Sequence, residues 1–368
     1  MRILVLSKRQ YMGKDLLDDR YGRFYEIPAS LASCGHEVIG VALSYRCRDE
    51  RCYFGDTDSR PGIAWLGLNA LPWGVWRYPW QLARIADNFR PDVVWACSDA
   101  FHAIFGALFS RATGVPLVID LYDDFESYAA TGLPGVAPAF RAACRRAAGL
   151  TVVSRTLRDR VVADYGIQAQ PAVVGNGVRR DLFYPRDRRW ARAALGLPVD
   201  ARLVGTAGSL SADRDIGVLF EAFLALAESD PLLHLVVAGC RDGTPACYRH
   251  PRIIDLGVLA LEQVPELISA LDVAVVCNRN SAFGRCCFPQ KFHEIAACGT
   301  PVVVARVGDV ATLLADTPGR LYEPGDPVDL ARRIAGQLIA PRPTTDIVVP
   351  GWGDWSAVVE QILADVAA

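Results

Sequence analysis

The sequence predicts an α/β protein made of two doubly wound domains, each with a mostly parallel sheet. Three observations carry that expectation. Short apolar runs alternate with helical patterns along the whole chain, as βαβ units require. The pattern lapses in the turn-rich stretch 173–178 and the charged run 179–192, then restarts at Arg202-Leu203-Val204-Gly205-Thr206. The 368 residues exceed one ordinary core and suit two domains of about 150–200 residues. The expected division is 1–180, 181–350 and a C-terminal helix, 351–368, crossing back to the first domain.

In the first half, strands are expected at 2–7, 37–43, 92–97, 116–120 and 149–153, with helices at 21–32, 100–112 and 138–148. Residues 173–192 read as the linker. In the second half a helix follows at 215–227, then strands at 233–238, 272–277 and 301–305, and helices at 262–271, 289–298 and 327–337. Helical spacing resumes at 352–366. Ligands in such folds gather at topological switch points beyond the carboxyl ends of strands, here expected to face a cleft between the domains. Neither strand-to-helix turn carries G-x-G-x-x-G, which weighs against a dinucleotide site.

Composition narrows the function classes. Half of the residues are hydrophobic and 22% charged, as in a globular protein, and a net charge of −2 gives no reason to expect a nucleic-acid partner. Eleven scattered cysteines and a strand-like start without a signal segment lead us to expect a reducing, cytoplasmic compartment. No apolar run approaches the 18 residues or so of a membrane span.

The segment Phe288-Pro289-Gln290-Lys291-Phe292-His293-Glu294-Ile295-Ala296-Ala297-Cys298-Gly299-Thr300-Pro301 is the richest in chemistry. Pro289 suits a first helical turn, Gly299 ends the helix, Pro301 blocks its resumption, and Val302-Val303-Val304 reads as a buried strand. Lys291 and Glu294 share a face near the helix start, where unpaired N–H groups and the helix dipole attract phosphate. A lysine adds a point charge there; a carboxylate one turn further in accepts from a sugar's hydroxyl pair. The chain has three lysines, Lys8, Lys14 and Lys291, against 36 arginines, so a compact ammonium at 291 stands out. The plainer reading is an exposed i,i+3 ion pair.

These features resemble the GT-B glycosyltransferases, and within them the retaining family-four type (glycosyl transferases group 1). The landmarks run in order: Gly35-His36-Glu37-Val38, Pro91-Asp92-Val93-Val94, Gly114-Val115-Pro116-Leu117-Val118, Val152-Val153-Ser154, Asn176-Gly177-Val178, the turn from Gly205 to Arg214, and the 289–301 segment. The resemblance implies two Rossmann-like domains, a UDP- or GDP-sugar donor on the second and an acceptor hydroxyl on the first. It further implies a front-face, retaining transfer without an enzyme nucleophile, and no bound metal or other cofactor. On this likeness Glu294 holds the ribose and Lys291 and Arg214 the diphosphate. Gly208, Ser209, Cys286 and Cys287 line the donor. Cys286 stands where the family has the first carboxylate of its Glu-x7-Glu pair, and Ser209 where it has a cation. Tyr122, Asp123 and Asp124 fall in the family's D-x-H-D region, with Tyr122 in place of the histidine, and would face the reacting centre. The plainer role for the two aspartates is capping the next turn. Gly13 and Lys14 belong to an expected long loop, 7–15, facing acceptor or phosphate.

The departures at Cys286, Ser209 and Tyr122 keep two other readings open: a non-catalytic nucleotide-sugar-binding homologue or partner subunit, and a nucleotide-sugar epimerase of the same fold. The expected acceptor is a lipid-linked saccharide, polysaccharide precursor or small metabolite. Trp65, Trp73, Trp76 and Trp80 crowd one short segment with Leu66, Leu68, Leu71 and Tyr78. That segment reads as packed core or pocket wall or, through residues 73–80, as a peripheral contact with the inner face of a membrane. His36 and His102 are expected to be structural. The Cys and His spacings form no four-ligand metal pattern.

Overall fold

The run Ile3-Leu4-Val5-Leu6 is wholly buried, as a strand covered on both faces by helices must be. The computed structural model describes residues 1–11, 13–46, 48–54, 62–288 and 290–368. The chain divides into one unit of Met1–Asn176 with Trp352–Ala368 and a second of Gly177–Gly351.

In the first unit, eight strands form one sheet in the order Ala172–Val173, Gly149–Val152, Leu117–Leu121, Val93–Cys97, Arg2–Lys8, Glu37–Ser44, Ala64–Asn69 and Arg51–Phe54. All neighbours are parallel except the last pair. Strand order runs outward in both directions from Arg2–Lys8 and Val93–Cys97, so the switch point lies between them. Register pairs Ile3 with Val38 on one side and Val93 on the other. The terminal helix Trp352–Ala367 belongs to this unit: Val359 and Leu363 are fully buried in its core, and Ser356 Oγ donates to the Ile27 carbonyl at 3.2 Å.

The second unit has six strands, all parallel, ordered Ile253–Asp255, Leu233–Ala238, Arg202–Ala207, Val273–Val276, Val302–Ala305 and Leu321–Tyr322. Alternate side chains feed two apolar layers, Leu203, Val236 and Ala274 on one face and Val204, Leu235 and Val273 on the other. Its switch point lies between Arg202–Ala207 and Val273–Val276.

Several expectations are corrected. Residues 188–194 are no linker: they form the helix Arg188–Ala194 in the second unit. Arg192 is buried because its guanidinium binds the Ala270, Val199 and Ala201 carbonyls and Asp272. The stretch 7–15 is not a long loop. Lys8 ends the first strand, and Gln10–Tyr11 pairs with Lys14–Asp15 in a small hairpin. Arg9 anchors it from a buried position, bound to Asp15 and Asp49. The aromatic segment holds two elements, the strand Ala64–Asn69 and the helix Gly74–Phe89. The helix Arg155–Tyr165 was also not expected.

Candidate donor and acceptor sites

In the second unit the first strand ends at Ala207 and the chain turns at Gly208, whose φ of +121° favours glycine. A methyl group on Gly208 would lie 3.2 Å from Lys291 Nζ and 3.3 Å from its Cε, so the lysine lies closely over the turn. Gly239, after the next strand, packs closer still: a Cβ there would sit 1.7 Å from the Gly208 carbonyl oxygen.

Lys291 opens the helix Gln290–Ala297, which Gly299 stops at φ +72°. Pro289, expected in its first turn, lies outside the described residues. Burial and the neighbouring Arg214 cation both push the Lys291 pKa below its ordinary value. Arg214 ends the short turn Ala212–Arg214, its guanidinium carbon 4.9 Å from the centre of the Phe283 ring. Two cations therefore converge at the switch point, an arrangement that a bound anion relieves. Glu294 is buried on the same helix and accepts from Gln290 Nε2 at 3.1 Å. Ser209 is exposed, and its hydroxyl meets that of Ser211 at 3.1 Å. Cys286, at the end of Ala282–Cys286, is buried, and Cys287 half-buried.

Two neighbours here carry no site role in the sequence reading, which weighs His293 only as a metal ligand beside Cys286 and Cys287. Arg279 follows the Val273–Val276 strand, and its charge opposes the upward shift of the Asp215 pKa that burial causes. His293 is buried against Phe288, ring centres 4.5 Å apart, and burial lowers its pKa to about 4, so it is neutral at neutral pH.

The first unit's switch point has a different make-up. Lys8 Nζ donates to Tyr122 Oη at 3.0 Å, Tyr122 and Tyr128 hydroxyls meet at 3.0 Å, and Tyr128 Oη donates to Asp123 at 2.9 Å. Burial lowers the Lys8 pKa, and the Asp99 and Asp123 carboxylates partly restore it. The Lys8 backbone N–H donates to Ser98 Oγ at 2.8 Å, and Ser98 Oγ lies 3.2 Å from Nδ1 of buried His102. Burial alone would raise the Asp99 carboxyl, yet His102 and Lys8 beside it hold it below the usual range. Asp124 is 1% exposed and ion-paired to Arg160 of the Arg155–Tyr165 helix. Gly13 holds the hairpin turn at φ +77°, and Lys14 lies 3.4 Å from Asp19. Tyr128 had no sequence signal, because only the turn Phe125–Ser127 swings it back onto Tyr122. Among the described residues no cluster of three His, Cys, Asp or Glu side chains is placed to hold a metal ion.

This is a two-unit Rossmann-like architecture, and comparison with known proteins places the chain further. Residues 24–182 match the model of Glycosyltransferase Family 4 and residues 201–339 that of Glycosyl transferases group 1. D-inositol 3-phosphate glycosyltransferase 1 of Catenulispora acidiphila is 32% identical over 70% of this chain and 68% of its own length. Sucrose-phosphate synthase of Thermosynechococcus elongatus superposes with a TM-score of 0.74 at 18% identity, covering 100% of this chain and 96% of that one. Anabaena HepE, in complex with UDP-glucose, gives 0.68 at 19% identity, covering 100% and 97%. The chain belongs to the family-four glycosyltransferases and has the GT-B fold. Against curated relatives that share the D-inositol 3-phosphate glycosyltransferase name, the match spans from 41% to 68% of the relative's length.

Proposed function

We propose that the protein is a retaining glycosyltransferase that moves a sugar from a UDP- or GDP-sugar to an acceptor hydroxyl. The observation that carries the reading is the meeting of Lys291 and Arg214 at the Gly208 turn. A diphosphate needs more than one positive neighbour, and this pair supplies two beside a switch point. Glu294 takes the ribose hydroxyls from the same helix face, with Ser209, Cys286 and Cys287 lining the donor. Anabaena HepE, a structural neighbour, binds UDP and UDP-glucose, which supports a nucleotide sugar here.

In the reaction, the bond from the anomeric carbon to the diphosphate breaks as the acceptor oxygen bonds the same face of that carbon. The hydroxyl proton passes to the departing phosphate oxygen, and a nucleoside diphosphate leaves. Lys291 and Arg214 stabilise the charge that grows on that phosphate. Asp123 and Tyr122 belong to the acceptor side, where Asp123 accepts from an incoming hydroxyl. No bound metal or other cofactor enters this scheme. The acceptor class is a lipid-linked saccharide, a polysaccharide precursor or a small polyol, the last suggested by the relatives' name.

The test is a thermal-shift and calorimetry panel of UDP, GDP, ADP and their sugar conjugates. A ligand at about 100 times its Kd should stabilise the fold by about 2.7 kcal/mol. The donor so identified is then incubated with acceptors, D-inositol 3-phosphate included, and the anomeric configuration of the product is read by NMR. Inversion would sink the retaining assignment. A donor that binds tightly but is never turned over would favour the non-catalytic reading, which draws on the commitment of the Tyr122 hydroxyl to Lys8 and Tyr128. No shift with any nucleotide would remove the donor assignment itself.

A further inference from the structure

The aromatic segment separates into two populations. Trp65 and Tyr78 are fully buried, whereas Trp73, Trp76 and Trp80 are 72%, 78% and 62% exposed. The helix Gly74–Phe89 explains the split. Its buried residues Gly74, Tyr78, Leu82 and Ala86 recur every four positions and form the stripe that docks on the first unit. At about 100° per residue, Trp73, Trp76 and Trp80 fall within a narrow arc on the opposite side of the helix. Arg77 and Arg84 border that arc, both exposed, and the Arg84 guanidinium lies 5.0 Å from the centre of the Trp80 ring. Arg77 has Glu50 at 3.7 Å, a surface contact, and Asp87 is the one acidic residue on this face of the helix. Leu71 and Pro72, exposed just before the helix, extend the apolar area.

A helix that only covers the sheet needs polar residues on its outer side. Three neighbouring tryptophans there are an exposed apolar patch of the kind that marks an interaction site. The choice of residue favours one occupant. Indole rings settle at the headgroup level of a bilayer, and flanking arginines are attracted to anionic lipid while their stems lie along apolar surface. We propose that the outer face of Gly74–Phe89 is a membrane-docking surface, on which Trp73, Trp76 and Trp80 enter the interface and Arg77 and Arg84 contact anionic headgroups. The helix lies in the plane of the surface; no helix among the described residues is long and apolar enough to cross a membrane. This inference does not depend on which nucleotide the second unit binds.

The test uses the full chain in co-sedimentation with phosphatidylcholine vesicles, with and without 30% phosphatidylglycerol. Quenching of tryptophan emission by brominated lipid reports insertion. The expected result is binding to the anionic vesicles with quenching, weakened at least about tenfold in a Trp73→Ala, Trp76→Ala, Trp80→Ala triple variant. An Arg77→Gln, Arg84→Gln variant should lose the preference for anionic over neutral vesicles. All five side chains are exposed, so the variants should fold, which circular dichroism checks. Failure of the folded wild type to bind either vesicle, or equal binding by the triple variant, overturns the proposal. So does a wild-type dimer in solution that the triple variant dissociates without any vesicle binding, which would give the face to a second copy of the chain.

Discussion

The first and second units arrange six central strands in the same relative order, and each places a lysine ammonium at its switch point. The surroundings of the two lysines differ. Lys8 has the Asp99 and Asp123 carboxylates as its leading charged neighbours, with the Arg46 cation a lesser one, and two tyrosine hydroxyls in series. Lys291 has the Arg214 cation as its leading charged neighbour, opposed more weakly by the Glu294 carboxylate, and its pKa is depressed by burial and then by that cation. A cation among carboxylates and phenols suits hydroxyl recognition, whereas a cation beside a cation is completed by an anionic ligand. One topology thus carries two electrostatic designs, and the difference lies in a few side chains at the strand ends.

The largest effect is expected from a fully buried charge pair in the first unit. Arg23 and Asp120 are both 0% exposed and bonded through two contacts of 2.7 Å, with Thr151 as a further donor to Asp120. Removing one partner of such a pair strands the other, at a cost of about 3–5 kcal/mol. Asp120→Ala should therefore lower the stability of the first unit by that amount in urea unfolding. The second unit should keep its midpoint, giving two resolved transitions. A single transition at the wild-type midpoint would show that the pair carries little of the first unit's stability.

The next prediction separates the two lysines directly. A charge-assisted hydrogen bond contributes about 1.5–3 kcal/mol, so Lys291→Ala should weaken nucleotide binding roughly 10- to 150-fold. Lys8→Ala should leave that affinity within about twofold, since nothing in the donor assignment involves it. The pH dependence adds a sign. The anion prefers protonated Lys291, so affinity is full below the lysine's lowered pKa and falls as pH rises through it. The fall begins earlier than the ordinary value of 10.5 would give. Lys291→Arg, charged throughout that range, should abolish the alkaline fall. Calorimetry from neutral to alkaline pH decides it, and an alkaline fall that persists in Lys291→Arg would place its origin elsewhere.

Much of this architecture was legible in the sequence because its signals are local. The run Ile3 to Leu6, the valines at 302–304 and the Gly299 stop each announce an element within a few residues, and Lys291 was readable from its rarity and helical position. What escaped depends on contacts distant in sequence. Asp124 looks like its neighbour Asp123 until Arg160, 36 positions on, closes over it. The helix Gly74–Phe89 was hidden because three tryptophans, Trp73, Trp76 and Trp80, stand on its outward side, where polar residues usually mark the solvent face. Arg192 reads as part of a charged linker, yet folding surrounds it with carbonyls.

The smallest effect tests whether the first unit's hydroxyl chain is a local device. Tyr128→Phe keeps the ring that packs against Phe125 at 5.9 Å and deletes only the oxygen bridging Tyr122 and Asp123. Each neutral hydrogen bond contributes about 1 kcal/mol net, and one to a carboxylate somewhat more, so the loss in stability should be about 1–2 kcal/mol. Asp123 retains the backbone N–H of Asp124 as a donor at 2.9 Å, which limits the damage. Nucleotide affinity should not change, because the variant alters no group at the Gly208 turn. An affinity that fell with Tyr128→Phe would mean that the two switch points are energetically coupled, and the contrast between the two lysines would no longer be one between independent sites.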